Sequence, residues 1–259
     1  MNGELQRLID IVARLREPGG CPWDREQTHA SILSGLLDET YEFFEAVEEN
    51  DNDKMKEELG DLLLQIVFHT QMASEEKQFT IEDVARGICE KLLRRHPHVF
   101  GKVEVESSRE VINNWEQIKQ NEKGNEHRKY LVDDIPKTLP ALFRAEKIQR
   151  RVARVGFDWN DIRPALDKVE EEFGEFREAL DAGNREHAME ELGDIIFALV
   201  NVARHKGICA EDALRATNKK FSRRFRYIED ACREAGIDIK QATLDELDRF
   251  WEKSKKVVG

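Results

Sequence analysis

Apolar residues recur at three- and four-residue intervals along almost the whole chain, and alternating β-branched runs are missing, so the pattern predicts an all-α protein. Leu5, Leu8, Val12 and Leu15 open a first helix, which the turn residues Pro18, Gly19, Gly20 and Pro22 close. Four more helices are predicted near 28–49, 53–76, 80–95 and 108–121. From Lys119 to Pro140 the apolar period fades into a polar stretch with Gly124, Asn125, Asp133, Asp134 and two prolines, which reads as a linker. Helices resume near 138–155, 161–182, 185–206, 210–234 and 243–256, in the same order as before.

The second series repeats the first residue by residue. Glu39-x-x-Glu42 followed by Glu58-Leu59-Gly60-Asp61 returns as Glu172-x-x-Glu175 followed by Glu191-Leu192-Gly193-Asp194, at a constant offset of 133. Lys91-Leu-Leu-Arg94-Arg95 returns as Lys220-Phe-Ser-Arg223-Arg224, and Trp115 to Lys119 returns as Trp251 to Lys255. Two copies are too few for a solenoid, so the chain reads as a duplicated module: an N-terminal helical domain over 1–120, a linker over 121–137 and a C-terminal helical domain over 138–259.

Composition narrows the function. With 40% hydrophobic and 36% charged residues the chain can bury a core and still present long solvated faces, which excludes a disordered, core-poor protein. The net charge of −12 argues against nucleic-acid binding by broad phosphate neutralisation. A polyphosphate can still bind if divalent cations sit between it and clustered carboxylates. Cys21, Cys89, Cys209 and Cys232 form no CxxC pair, so neither zinc nor a disulfide framework is expected. The N-terminus lacks a signal-like apolar run and no stretch reaches the length of a membrane span, so a cytoplasmic protein with no membrane partner is expected.

Residues three apart share a helix face, so Glu172 and Glu175 project together, as do Glu191 and Asp194. The short connection Ala182-Gly183-Asn184 makes their helices antiparallel neighbours, which can gather four carboxylates around one cavity. Hard oxygen donors of this kind suit Mg²⁺ or Mn²⁺. A lone ExxE is usually a solvated face. Here, though, the acids lead into the apolar runs Ile195 to Val200 and Leu62 to Phe68, where charge is costly without compensation. Lys168, one turn before Glu172, and the patch Lys220, Arg223 and Arg224 could hold phosphate oxygens. Trp251, one turn before Lys255, suits either base stacking or core packing. His96-Pro97-His98 reads as a turn that stops a helix, and Cys21-Pro22-Trp23-Asp24 as a structured loop. Asp158-Trp159 takes the corresponding place in the second half, so these aromatics either flank a ligand pocket or cap the bundle.

ExxE, fifteen residues, then ExxD on consecutive helices resembles the signature of the all-α nucleoside triphosphate pyrophosphohydrolases. The tandem form, with Cys21-Pro22-Trp23-Asp24 near the start and Arg94 to Phe100 closing the first half, resembles the MazG type. The resemblance implies a Mg²⁺-dependent homodimer of helical bundles that hydrolyses nucleoside triphosphates to monophosphate and pyrophosphate. It also implies metal ligation by Glu172, Glu175, Glu191 and Asp194, with Lys168, Glu171, Glu190, Lys220, Arg224, Trp251 and Lys255 lining the nucleotide site and Glu171 or Glu175 orienting water. His187 departs from relatives that carry a lysine four residues before the ExxD acid. Gly35 stands at the position of Lys168 and Asp38 at that of Glu171, so the second half is expected to be the principal catalyst, beside the first-half carboxylates Glu39, Glu42, Glu58 and Asp61. The rivals are a non-catalytic nucleotide or (p)ppGpp sensor using the same metal and phosphate site, and a structural helical adaptor.

Overall fold

The computed structural model describes residues 3–107, 110, 111, 114, 115, 118 and 130–258. All regular structure among them is helical. The chain divides into two compact units, Met1–Asn125 and Glu126–Gly259. In the first lie α1 (Glu4–Arg16), α2 (Pro22–Glu26), α3 (Leu33–Glu49), α4 (Asn52–Glu75), α5 (Ile81–Arg95) and α6 (Pro97–Phe100). In the second lie α7 (Ala141–Ala153), α8 (Arg163–Asp181), α9 (Arg185–His205), α10 (Ala210–Glu234) and α11 (Leu244–Val257).

Most ends fall within three residues of the sequence reading. The exceptions have local causes. Residues 28–32 form turns instead of opening α3, because the Thr28 and Ser31 hydroxyls accept from each other's backbone N–H and offer the chain an alternative to the helix. The loop expected at Cys21 to Asp24 contains α2, started by Pro22 in the first helical turn, and Pro97 starts α6 in the same way where a turn was expected. The helix expected over 108–121 lies largely outside the described residues, as do 121–129 of the expected linker.

The element that builds each half is an antiparallel pair, α3–α4 and α8–α9. Asn50 at φ 54° and Gly183 at φ 66° stand at equivalent positions and make the left-handed turn between the paired helices. The next residue caps the second helix: Asp51 accepts from the backbone of Asp53 and Lys54, and Asn184 from that of His187. Against the first pair, α1 contributes Val12 to a core of Ile32, Val67, Phe68 and Met72. Arg16 fastens that end, binding Glu75 and the carbonyls of Asp24 and Gln27 while its guanidinium lies 5.4 Å over the Phe68 ring. In the second half α7 packs on α9, tied by the buried Gln149, whose Nε2 donates to the Phe197 carbonyl at 2.7 Å. Capping boxes at Thr80–Asp83 and Thr243–Glu246 start α5 and α11. The four cysteines are free, and among the described residues no helix is long and apolar enough to cross a membrane.

Candidate active site

Helix α8 buries Ala165, Glu172 and Ala179 at seven-residue intervals, and α9 buries Ala188, Glu191, Ile195 and Ala198 at spacings of three and four. Glu172 and Glu191 therefore occupy core positions of the helix pair, each only 7% exposed. With the more exposed Glu175 they present oxygens that all lie within 4.8 Å of one another. Like charges this close, out of water, raise the cost of ionisation. The Glu191 carboxyl is accordingly pushed above its ordinary pKa, first by burial, then by the charge of Glu175 and a hydrogen bond shared with Glu172.

Lys168 and His187 approach the cluster. Lys168 Nζ lies 2.6 Å from Glu172 Oε1 and 2.9 Å from Glu171 Oε1, and these bonds hold the ammonium well above its usual range. His187 Nε2 reaches Glu191 Oε1 at 2.9 Å, so the imidazole stands against a buried carboxylate. The second oxygen, Glu191 Oε2, is buried and has no hydrogen-bond partner among the described residues. A hard divalent cation between Glu172, Glu175 and Glu191 would satisfy that oxygen and relieve their mutual repulsion, so the residues fit a metal.

Beside the cluster is a cavity of about 590 Å³. Lys168, Glu172 and Asp194 line it together with the rings of Phe157, Trp159 and Phe197. Asp194 thus shares the cavity with Glu172 but stands outside the close group of three. The size and the apolar walls with a few convergent charges suit a small polar ligand with an aromatic part. Of the two sequence readings for Trp159, the one that flanks a pocket matches its position. Its neighbour Asp158 binds Arg204 through both carboxylate oxygens, at 2.5 and 2.9 Å, and these bonds hold its pKa below the ordinary carboxylate range.

The remaining sequence candidates lie elsewhere. Glu171 and Glu190 are exposed on α8 and α9, and Glu171 binds Lys168. Lys220, Arg223 and Arg224 on α10 and Trp251 and Lys255 on α11 do not line the cavity. They belong to an aromatic and cationic group of their own. The Trp251 ring packs on Phe221 at 5.2 Å with the Arg224 guanidinium 5.7 Å from its centre, while Lys255 pairs with Glu252. The first half repeats this arrangement with Arg95 4.9 Å over Trp115, and Lys119 lies outside the described residues.

The first half also gathers carboxylates, but a different three: Glu39, Glu58 and Asp61 fall within 4.8 Å of one another. Glu42 stands outside that group, although its charge helps burial to push the Glu39 and Glu58 carboxyls up. Around them the filling differs. Gln65 stands at the position of Ala198 and covers Gly35 so closely that a Cβ on Gly35 would lie 2.9 Å from Gln65 Nε2. Phe68, at the position of Asn201, is buried in the core.

Sequence reasoning missed Asn201 and Arg204, which line the same cavity. Their signal was present: with Asp194, Phe197 and Ala198 they continue one helical stripe, and as polar residues they interrupt the apolar run of α9.

Two comparisons with known proteins identify the family. The MazG nucleotide pyrophosphohydrolase domain matches residues 27–100 and 163–229, one segment on each helix pair. The chain is 46% identical over 256 residues to the nucleoside triphosphate pyrophosphohydrolase of Escherichia coli strain K12, covering 98% of this chain and 97% of that protein. It is 44% identical over 250 residues to the nucleoside triphosphate pyrophosphohydrolase/pyrophosphatase MazG of Thermotoga maritima, covering 96% and 95%. Against the protein YabN of Bacillus subtilis it is 47% identical over 254 residues, 98% of this chain but 52% of that one. On the match of both helix pairs and on identity along nearly its full length, this chain belongs to the MazG nucleotide pyrophosphohydrolase family.

Proposed function

We propose that the protein hydrolyses nucleoside triphosphates, ribo- and deoxyribonucleotides alike, to the monophosphate and pyrophosphate, and that the second half is the principal catalyst. The observation that carries this reading is the juxtaposition on α8 and α9 of a buried carboxylate group with an aromatic-walled cavity. Water adds across the α–β anhydride bond, so one oxygen enters and pyrophosphate leaves. Glu172, Glu175, Glu191 and Asp194 would hold Mg²⁺, with Mn²⁺ as a substitute; when bound, the metal neutralises phosphate charge and lowers the pKa of attached water.

The chain's own residues supply the rest. Lys168, protonated and shared between Glu171 and Glu172, offers a positive charge at the cavity wall for phosphate oxygens. Glu171, once Lys168 turns to phosphate, or Glu175 accepts the proton of the attacking water. Phe157 and Trp159 hold the nucleoside and exclude water from one side of the site. Lys220, Arg223, Arg224 and Lys255 are proposed as phosphate-binding cations contributed by α10 and α11, with Trp251 packed among them, and Glu190 as a polar neighbour of the metal ligands. A homodimer is also proposed, because Leu192, Ile196 and Leu199 leave an exposed apolar stripe on α9 that Leu59, Leu63 and Ile66 repeat on α4.

The test is incubation with each NTP and dNTP plus Mg²⁺, with products resolved. Monophosphate and pyrophosphate support the reading. Diphosphate and phosphate would contradict it, and tight binding without turnover would favour the nucleotide or (p)ppGpp sensor.

A further inference from the structure

We propose that Asn201 positions the base of the nucleotide by donating a hydrogen bond from its side-chain amide into the cavity, and that the Asp158–Arg204 pair fixes which end of that amide faces the ligand. The proposal rests on the reading of this cavity as the nucleoside pocket.

A guanidinium only donates. Arg204 Nε and Nη2 lie 2.9 and 2.6 Å from Asn201 Oδ1, so the atom they touch must be the amide oxygen, and the orientation of the side chain follows from chemistry. Arg204 is held in turn by both oxygens of Asp158, with His205 Nε2 3.2 Å from the same carboxylate. With its oxygen taken twice, Asn201 has only the N–H pair of Nδ2 to offer, and among the described residues that nitrogen has no partner and is not sealed from solvent. Asn201 lines the cavity whose walls include Phe157 and Trp159.

The comparison with the first half supports a ligand role. The position equivalent to Asn201 is Phe68, a buried core residue, so the repeat packs perfectly well with an apolar side chain there. Placing an amide there, and clamping it with an ion pair, adds nothing to apolar packing that the phenyl ring does not supply. The ligand class it recognises is a heterocycle edge that carries an acceptor, either a carbonyl oxygen or a ring nitrogen. All the common bases present one, so Asn201 gives affinity for a base over bare triphosphate and little choice among bases.

Asn201→Asp is the decisive variant, because it keeps the volume and the partner for Arg204 while replacing the donor with an acceptor. Asn201→Leu is the companion that removes both polar atoms. The readout is the dissociation constant, in Mg²⁺, of nucleoside triphosphate analogues with a non-hydrolysable α,β-imido bridge, alongside inorganic tripolyphosphate. Both variants are expected to weaken every nucleotide analogue about tenfold, the scale of one lost hydrogen bond with a group left unpaired, and to leave tripolyphosphate unchanged. Wild-type nucleotide affinity in Asn201→Asp, or a parallel loss for tripolyphosphate, would overturn the proposal. Because binding is read without turnover, a wild-type protein that binds the analogues but releases no pyrophosphate would defeat the hydrolase reading and leave this one standing.

Discussion

The helix pairs α3–α4 and α8–α9 share their turn geometry, their capping positions and a buried glutamate at the equivalent place, Glu58 and Glu191, yet they fill the space beside it in opposite ways. In the second half Lys168, Ala198 and Asn201 line a cavity. In the first half Gln65 lies over Gly35, and Phe68 joins the core. Small and large residues have exchanged positions between the halves: Gly35 and Gln65 in the first stand where Lys168 and Ala198 stand in the second. A close carboxylate group is thus present in both halves, though with different members, and Lys168 and the cavity lie beside the second.

The largest expected effect separates these contributions. Glu175→Gln removes one charge from the second group with little change of volume and should lower kcat by at least about 100-fold with helicity intact, a loss that steady-state kinetics and circular dichroism together would verify. Excess chelator should do the same to the wild type, and added Mg²⁺ or Mn²⁺ should restore turnover.

Next comes the exchange of fillings. The triple change Lys168→Gly, Ala198→Gln and Asn201→Phe rebuilds the first-half pattern inside the second half without touching a carboxylate. Nucleotide KM should rise at least about tenfold, while the Mg²⁺-induced rise in melting temperature persists. A variant with wild-type KM would show that the cavity is not where the nucleotide goes.

Smaller again is the effect on stability. The raised Glu191 carboxyl signals that its charge is unwelcome without a cation. In chelator, Glu191→Gln should therefore melt at a higher temperature than wild type by calorimetry, and it should lose most of the stabilisation by Mg²⁺. Glu58→Gln should behave alike, since burial and the charge of Glu42 push its carboxyl up as well.

The smallest effect concerns a latch that both halves possess: Arg16 holds Glu75, and Arg204 holds Asp158. Both carboxyls lie below their ordinary values because of the arginine hydrogen bonds. A depressed folded-state pKa contributes stability that is present above the unfolded value and lost as pH falls through the folded one. Acid titration should thus leave both latches intact at neutral pH and weaken them below the ordinary carboxylate range. Asp158→Asn should flatten that part of the profile, which thermal melts from neutral to strongly acid pH would reveal.

Much of this was legible in the sequence because it rests on periodicity. Glu172 and Glu191 interrupt helical stripes of small and apolar residues, and the offset of 133 exposes Gly35 opposite Lys168. The Asn184 and Asp51 caps follow from local rules as well. What stayed hidden depends on contacts between elements. Nothing near Asn201 in sequence announces that Arg204, three residues on, turns its guanidinium to both Asn201 and Asp158, 46 residues away from Arg204. The short helix α2 was missed because Pro22 reads equally as a turn breaker and as a first-turn residue. The separation of Trp251 from the cavity was likewise invisible, since the repeat locates it only along the chain.

Whether the second half carries the catalysis is decided by measuring pyrophosphate release from nucleoside triphosphate by Glu172→Ala and by Glu39→Ala, side by side, in Mg²⁺ and with unchanged helicity. Glu172→Ala should lose nearly all turnover and Glu39→Ala should change it by no more than about threefold, because it is the second group that stands beside Lys168 and the cavity. Equal losses, or a larger loss from Glu39→Ala, would contradict it.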